Sequence, residues 1–264
     1  MAVGDTITQS LADSLPTVVA SARQTREFEG VMPNLVDKVT LSEGTGTSWR
    51  EVTMAQLTAQ TVTETTRLDN PQQMSDTLLT ITPTVVAIQT LITDRVAARI
   101  SSIAYAKVGN LAQNAIQRKK DEDGLTVLDG ATTSLAGTGV TLTSGHIAAA
   151  GHRITSNATE PGNEPIRAVL HGFQIKDLHD EIVAGVGTYN LQEGPTARVF
   201  AEKFQGMIAN VQIYEDGNIT IDGTPDAKGG VFAQEAIILV QGISPHTETR
   251  REPHIGGGAT SVFL

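Results

Sequence analysis

Six histidines and a few clusters of carboxylates are the side chains of this sequence that could serve as bases, acids or metal ligands. Their spacing works against that chemistry. His146 and His152 are six residues apart, which on one helix separates them by about 240° and turns them to different faces. His171 and His179 are eight apart; they fall on one side of a helix but roughly 12 Å apart along its axis, too far to share a metal ion. Asp177, His179, Asp180 and Glu181 crowd one stretch where a general acid or base could sit. The apolar positions Ile175, Leu178 and Ile182 among them give the pattern of a helix with a solvated polar face. Asp121-Glu122-Asp123 offers oxygen ligands for a divalent cation, but lacks the glycine and terminal glutamate of a calcium loop and reads as a charged loop. The motifs GxxxxGK[ST], GxSxG, HExxH and a strand followed by GxGxxG do not occur. With no cysteine there is no disulfide, thiolate nucleophile or Cys-ligated metal. The expectation is a protein with no catalytic residue, no cofactor and no metal.

The elements that would have to position such groups are more informative. The 264 residues suffice for one large domain or two small ones, and 39% hydrophobic with 18% charged residues describes a folded chain. A net charge of −10 argues against coating nucleic acid through a basic surface, and Arg118-Lys119-Lys120 and Arg250-Arg251 are too short to supply one. The first basic residue is Arg23 and no apolar run approaches membrane-spanning length, so a soluble, cytoplasmic product is expected.

Residues 1–42 mix polar and apolar residues without a sustained period and read as an extended arm with at most one short helix. From 49 to 88 threonine dominates. The stretch alternates through Val52, Met54 and Leu57, turns near Leu68-Asp69-Asn70-Pro71 and returns through Leu78, Leu79 and Ile81, which predicts a long two-stranded hairpin. Neither strand can bury a face alone, and an isolated ribbon is marginal in water, so the hairpin should pack on another chain. Ile92, Val96, Ile100, Ile103, Val108, Leu111 and Ala115 then follow helical spacing, predicting one long helix over 93–120 with Thr93 as N-cap and Asp121-Glu122-Asp123-Gly124 as its stop. A Gly-rich connection over 131–145 leads to helices over 146–156 and 172–186 flanking a strand at 166–170. Strands are expected at 207–214, 218–221, 231–233, 236–240 and, weakly, 261–264.

This order of elements resembles the major capsid proteins of tailed bacteriophages, the HK97 fold. The residues that carry the resemblance are degenerate but span nearly the whole chain. Thr77-Leu-Leu-Thr-Ile-Thr-Pro-Thr-Val-Val86 is similar to the return strand of the family's E-loop, and Ile92-Thr-Asp-Arg-Val-Ala-Ala-Arg-Ile100 to the start of its spine helix. Leu125-Thr-Val-Leu-Asp-Gly130 resembles a small-residue stretch after that helix. Ala168-Val-Leu-His-Gly-Phe-Gln-Ile-Lys-Asp-Leu178 looks like a strand-to-helix step of the family, and Phe204-Gln-Gly-Met-Ile-Ala-Asn-Val-Gln-Ile-Tyr214 like one of its later strands.

The resemblance implies an α+β fold with an N-terminal arm at 1–42, an E-loop hairpin at 43–88 and a P-domain with the spine helix at 89–132. An α/β A-domain at 133–240 and C-terminal P-domain strands at 241–264 complete it. It implies a structural protein, not an enzyme, that assembles through hexamers and pentamers into an icosahedral virion capsid in the host cytoplasm and encloses double-stranded DNA. Portal and scaffolding proteins, and a cement protein, are the implied partners besides the chain itself. An encapsulin-like shell around a cargo enzyme is the alternative, with a phage tail-tube protein behind it; the long helix speaks against the tube. Some family members weld subunits through an E-loop lysine, but no lysine lies between Lys38 and Lys107, so that crosslink is not expected. Arg50, Arg67, Leu68, Asp69, Asn70 and Pro71 are the expected subunit-interface residues, the arginines as charge partners and the other four as the hairpin tip.

Overall fold

The fold is that of a computed structural model, which describes residues 28–42, 44, 46–65, 67, 71–99, 102–135, 137, 139–186, 206–222, 226–244 and 246–264. Its centre is a four-stranded sheet in the order β6-β7-β5-β8, formed by Met207–Ile208 (β6), Val211–Glu215 (β7), Ile166–Leu170 (β5) and Gly230–Ala233 (β8). β5 runs parallel to β7 and antiparallel to β8. Its sequence, Ile-Arg-Ala-Val-Leu, is nearly continuous in apolar residues, as expected of a strand covered on both faces. Ile166, Ala168 and Leu170 face helices α4 (Ser144–Thr155) and α5 (Gly172–Val186), packing with Ile147, Ile175, Leu178, Val211 and Ile213. The alternate residue Val169 faces the other way, into a second core with Met32, Leu35, Val36, Ile219 and Phe232.

That second core is closed by two elements from earlier in the chain. One is a single turn of helix, α1 (Met32–Leu35), and the other is the long helix α3 (Ser102–Asp129), which adds Leu125 and Leu128. The 28 residues of α3 make a rod of about 42 Å. After α1, strand β1 (Asp37–Thr40) pairs in parallel with β9 (Ile238–Gln241). A separate three-stranded antiparallel sheet joins Gln89–Thr93 (β4), Glu248–Glu252 (β10) and Ala259–Phe263 (β11) in the order β10-β11-β4. Asp94, in the short helix α2 (Asp94–Ala97), forms a two-pronged ion pair with Arg251 of β10.

Several sequence expectations are corrected here. Ile92, counted into the helical spacing, instead belongs to strand β4, because the edge of β11 offers Leu91 and Ile92 a buried place in a ladder. Thr93 precedes the short helix α2 and makes no side-chain cap hydrogen bond; α3 begins only at Ser102. Asp121-Glu122-Asp123-Gly124 does not stop the helix, and 125–129 belongs to it. Glu122 and Asp123 pair with Arg118 and Lys119 one turn earlier, so the acidic run is compensated inside the helix. Met32 packs against Gly124, and Leu125 and Leu128 extend the apolar stripe into the core, which carries the helix on to Asp129. The expected single strand at 207–214 is a hairpin, bent at Ala209 and Asn210, both at positive φ. Residues 218–221 form a turn with one isolated bridge, Ile221 to Ala227.

Residues 28–40, within the expected extended arm, dock on the body of the subunit. Met32, Leu35 and Val36 are core residues, and Arg167 of β5 donates from Nη1 to the carbonyl oxygen of Leu35. The periodicity of this stretch is too short to betray burial; the docking is set by what α3 and β5 present to it.

Candidate assembly interface

Strands β2 (Trp49–Met54) and β3 (Asp76–Ile81) form a two-stranded antiparallel sheet, with Trp49 opposite Ile81 and Met54 opposite Asp76. The ribbon extends past both strand ends. Ser48 Oγ meets Thr82 Oγ1 at 2.8 Å, Ala55 N donates to Ser75 O at 2.8 Å, and Thr58 N donates to Gln72 Oε1 at 2.9 Å. β-Branched residues at alternate positions favour this pleated pairing, and the register fixes which side chains share a face. Val52 lies opposite Leu78, with Arg50–Thr80 and Met54–Asp76 as the flanking pairs on that face. Glu51–Leu79 and Thr53–Thr77 occupy the other.

Neither face is covered. Val52, Met54, Leu78 and Leu79 are 52%, 67%, 53% and 47% exposed, and Leu57, Val62 and Met74 farther out are exposed as well. A row of large apolar side chains on an unsupported ribbon is costly to leave in water and marks a surface for another chain. Arg50 and Arg67 are exposed, and among the described residues neither pairs with a carboxylate of its own subunit. Pro71 is exposed too. Leu68, Asp69 and Asn70, the expected tip, lie outside the described residues.

Four of the residues singled out for chemistry make structural contacts. Glu181 reaches from α5 to the start of α4, accepting hydrogen bonds from Ser144 N (2.6 Å) and Ser144 Oγ (2.9 Å). Asp180 pairs with Lys176 on its own helix face, and the carboxylate holds the Lys176 ammonium above its usual range. Two histidines serve helix starts: His146 Nδ1 accepts from Thr143 N at 3.2 Å, and His171 Nδ1 accepts from Phe173 N at 3.2 Å. Among the described residues no group of three His, Cys, Asp or Glu side chains is gathered to hold a metal. No described helix is long and apolar enough to cross a membrane.

One polar site was missed by the sequence reading. Asp121 and Asp216 are both fully buried, at the seam where residues 30–32 cross α3 and the loop after β7. The acidic run at 121–123 was visible, but nothing in its spacing marks Asp121 as the one that turns inward.

No family model and no curated protein matches the chain. Solved structures do. A protein of Mycobacterium phage Che8 superposes with a TM-score of 0.73 at 18% identity, over 94% of this chain and 90% of that one. The capsid structure of the cyanophage P-SCSP1u gives 0.66 at 12% identity, over 96% and 88%. The capsid of Helicobacter pylori bacteriophage KHP30 gives 0.62 at 10% identity, over 99% and 91%. Agreement over almost the full length of both partners, at identities this low, is agreement of fold, and the chain has the HK97-like α+β fold of phage capsid proteins.

Proposed function

We propose that this chain is the major capsid protein of a tailed bacteriophage, a structural subunit that builds a closed icosahedral shell from hexamers and pentamers. The observation that carries the reading is the exposed ribbon of β2 and β3: Val52, Met54, Leu78 and Leu79 remain about half or more exposed, and a neighbouring subunit would bury them. The capsid structures that share the fold support the same conclusion. On this reading residues 43–88 act as the E-loop, with Arg50, Arg67 and the 68–71 tip at the subunit contact. Residues 89–132 and 241–264 form the P-domain, and 133–240 the A-domain. The acidic net charge suits a container that holds double-stranded DNA without gripping it. Portal, scaffolding and cement proteins are the partners this role calls for, the virion is its place, and the role itself requires no catalysis.

The test is light scattering with negative-stain microscopy on the full chain, alone and with the scaffolding protein encoded beside it. Closed particles of megadalton mass, or rings of five and six subunits, are the expected result. A chain that stays monomeric in both conditions, or that stacks into tubes, overturns the reading.

A further inference from the structure

Strand β10 pairs with β11 on one side, and among the described residues no strand covers its other side. Which of its backbone groups face outward follows from the neighbouring ladder. Ile88 and Leu264 exchange both hydrogen bonds across β4 and β11, and Asp94 N donates to Gly258 O, so the even-numbered residues of β11 bond towards β4. Ala259, Ser261 and Phe263 therefore bond towards β10, through Glu252, Arg250 and Glu248. The N–H and C=O groups of Thr249 and Arg251 are left pointing out to the free edge, in a stretch where 246–251 are exposed.

Charges on an edge strand ordinarily keep a second strand away. In β10 their order suits one partner. One face carries Glu248, Arg250 and Glu252, extended beyond the strand by His246 and His254. Ion pairs run along it between His246 and Glu248, Arg250 and Glu252, and His254 and Glu252. The opposite face carries Thr249 and Arg251, and Arg251 is already held by Asp94 of its own subunit.

We propose that β10 pairs antiparallel with β10 of a second copy of this chain, about a two-fold axis between their Thr249 residues. The outward groups restrict the pairing to odd-numbered residues opposite odd-numbered ones. With Thr249 opposite Thr249, Glu248 lies opposite Arg250 of the second copy and Glu252 opposite its His246, while Arg251 meets a neutral Thr247. Each contact occurs twice, because the interface is isologous. Other registers fail. One slip sets Arg250 opposite Arg250 and Glu248 opposite Glu252. The next sets Arg251 opposite Arg251 and Thr249 opposite Pro253, which has no N–H to give. A slip in the other direction sets Glu248 opposite Glu248. The surface is separate from the β2–β3 ribbon, and the pairing does not rest on the shell reading.

The chain has no cysteine, so one introduced thiol reports one position. In this register the Cα atoms of the two Thr249 residues come about 5.5 Å apart, within disulfide reach, whereas those of the two Thr247 residues are about 14 Å apart along the strands. Under mild oxidation of the full chain, free and in any particles it forms, Thr249→Cys should give a disulfide-linked dimer about tenfold faster than Thr247→Cys. Adding Glu248→Arg to Thr249→Cys sets like charges opposite each other and should slow the crosslink about tenfold; adding Arg250→Glu as well should restore it. All these side chains are exposed, so the variants should keep the fold, which circular dichroism checks. Equal rates at 249 and 247, a charge reversal that leaves the rate unchanged, or a charge exchange that fails to restore it would overturn the proposal. Absence of closed particles leaves this readout intact, so the two readings fail separately.

Discussion

The hairpin of β2 and β3 and the sheet centred on β5 are both β-structure, yet they stand on opposite energetic footing. β5 buries both faces, one against Ile147, Ile175 and Leu178, the other against Met32, Leu35 and Phe232. The ribbon buries neither face and leaves Met54 67% exposed. The body pays for its backbone order with its own side chains, whereas the ribbon, on the proposed reading, is completed by a second subunit. On that reading stability and assembly are held by separate residues, and substitutions should affect one without the other.

The sharpest contrast is expected in the body. Leu178→Ala removes a side chain that is 1% exposed between α5 and β5, and should cost about 2–5 kcal/mol in urea unfolding of the single subunit. A cost below about 1 kcal/mol would show that this core is loosely held. Next comes the docked segment. Gly30→Ala drives a methyl into the Asp121 carboxyl and should cost about 1–3 kcal/mol, with the exchange protection of 28–36 lost. Glu181→Ala, which strips the cap from α4, should cost about 1 kcal/mol; an unchanged unfolding midpoint would mean that water replaces the carboxylate there.

On the ribbon the expectation reverses. Val52→Ser with Leu78→Ser should change subunit stability by no more than about 0.5 kcal/mol while abolishing closed particles in the electron microscope. Particles formed normally by that variant would break the comparison. The smallest effect concerns the exposed ion pair. The Arg251 guanidinium, chiefly through its hydrogen bonds, holds Asp94 below the usual carboxylate range. What it contributes is present above pH 3.8 and is lost as pH falls through the lowered value. Arg251→Ala should return Asp94 towards its ordinary value in an NMR titration, with unfolding nearly unchanged.

The amphipathic helices α4 and α5, strand β5, the unsupported hairpin and the order of elements were all legible in the sequence. Their signals are local: helical spacing at Ile175 and Leu178, an apolar run at 166–170, alternation with threonine at 49–54 and 76–81. Arg50 and Arg67 are both exposed, and Arg50 shares a ribbon face with Val52 and Leu78. What spacing could not reveal depends on partners distant in sequence. Gln89–Thr93 is a strand because β11, some 170 residues later, offers it an edge. The helix continues through Asp121 because Met32, 89 residues earlier, donates its amide to that carboxylate and packs on Gly124. Residues 28–36 belong to the body for the same reason. Local periodicity determined which segments could be helix or strand; only tertiary packing decided which polar and apolar groups would leave water, since burial is settled by what lies across the seam and not by neighbours along the chain.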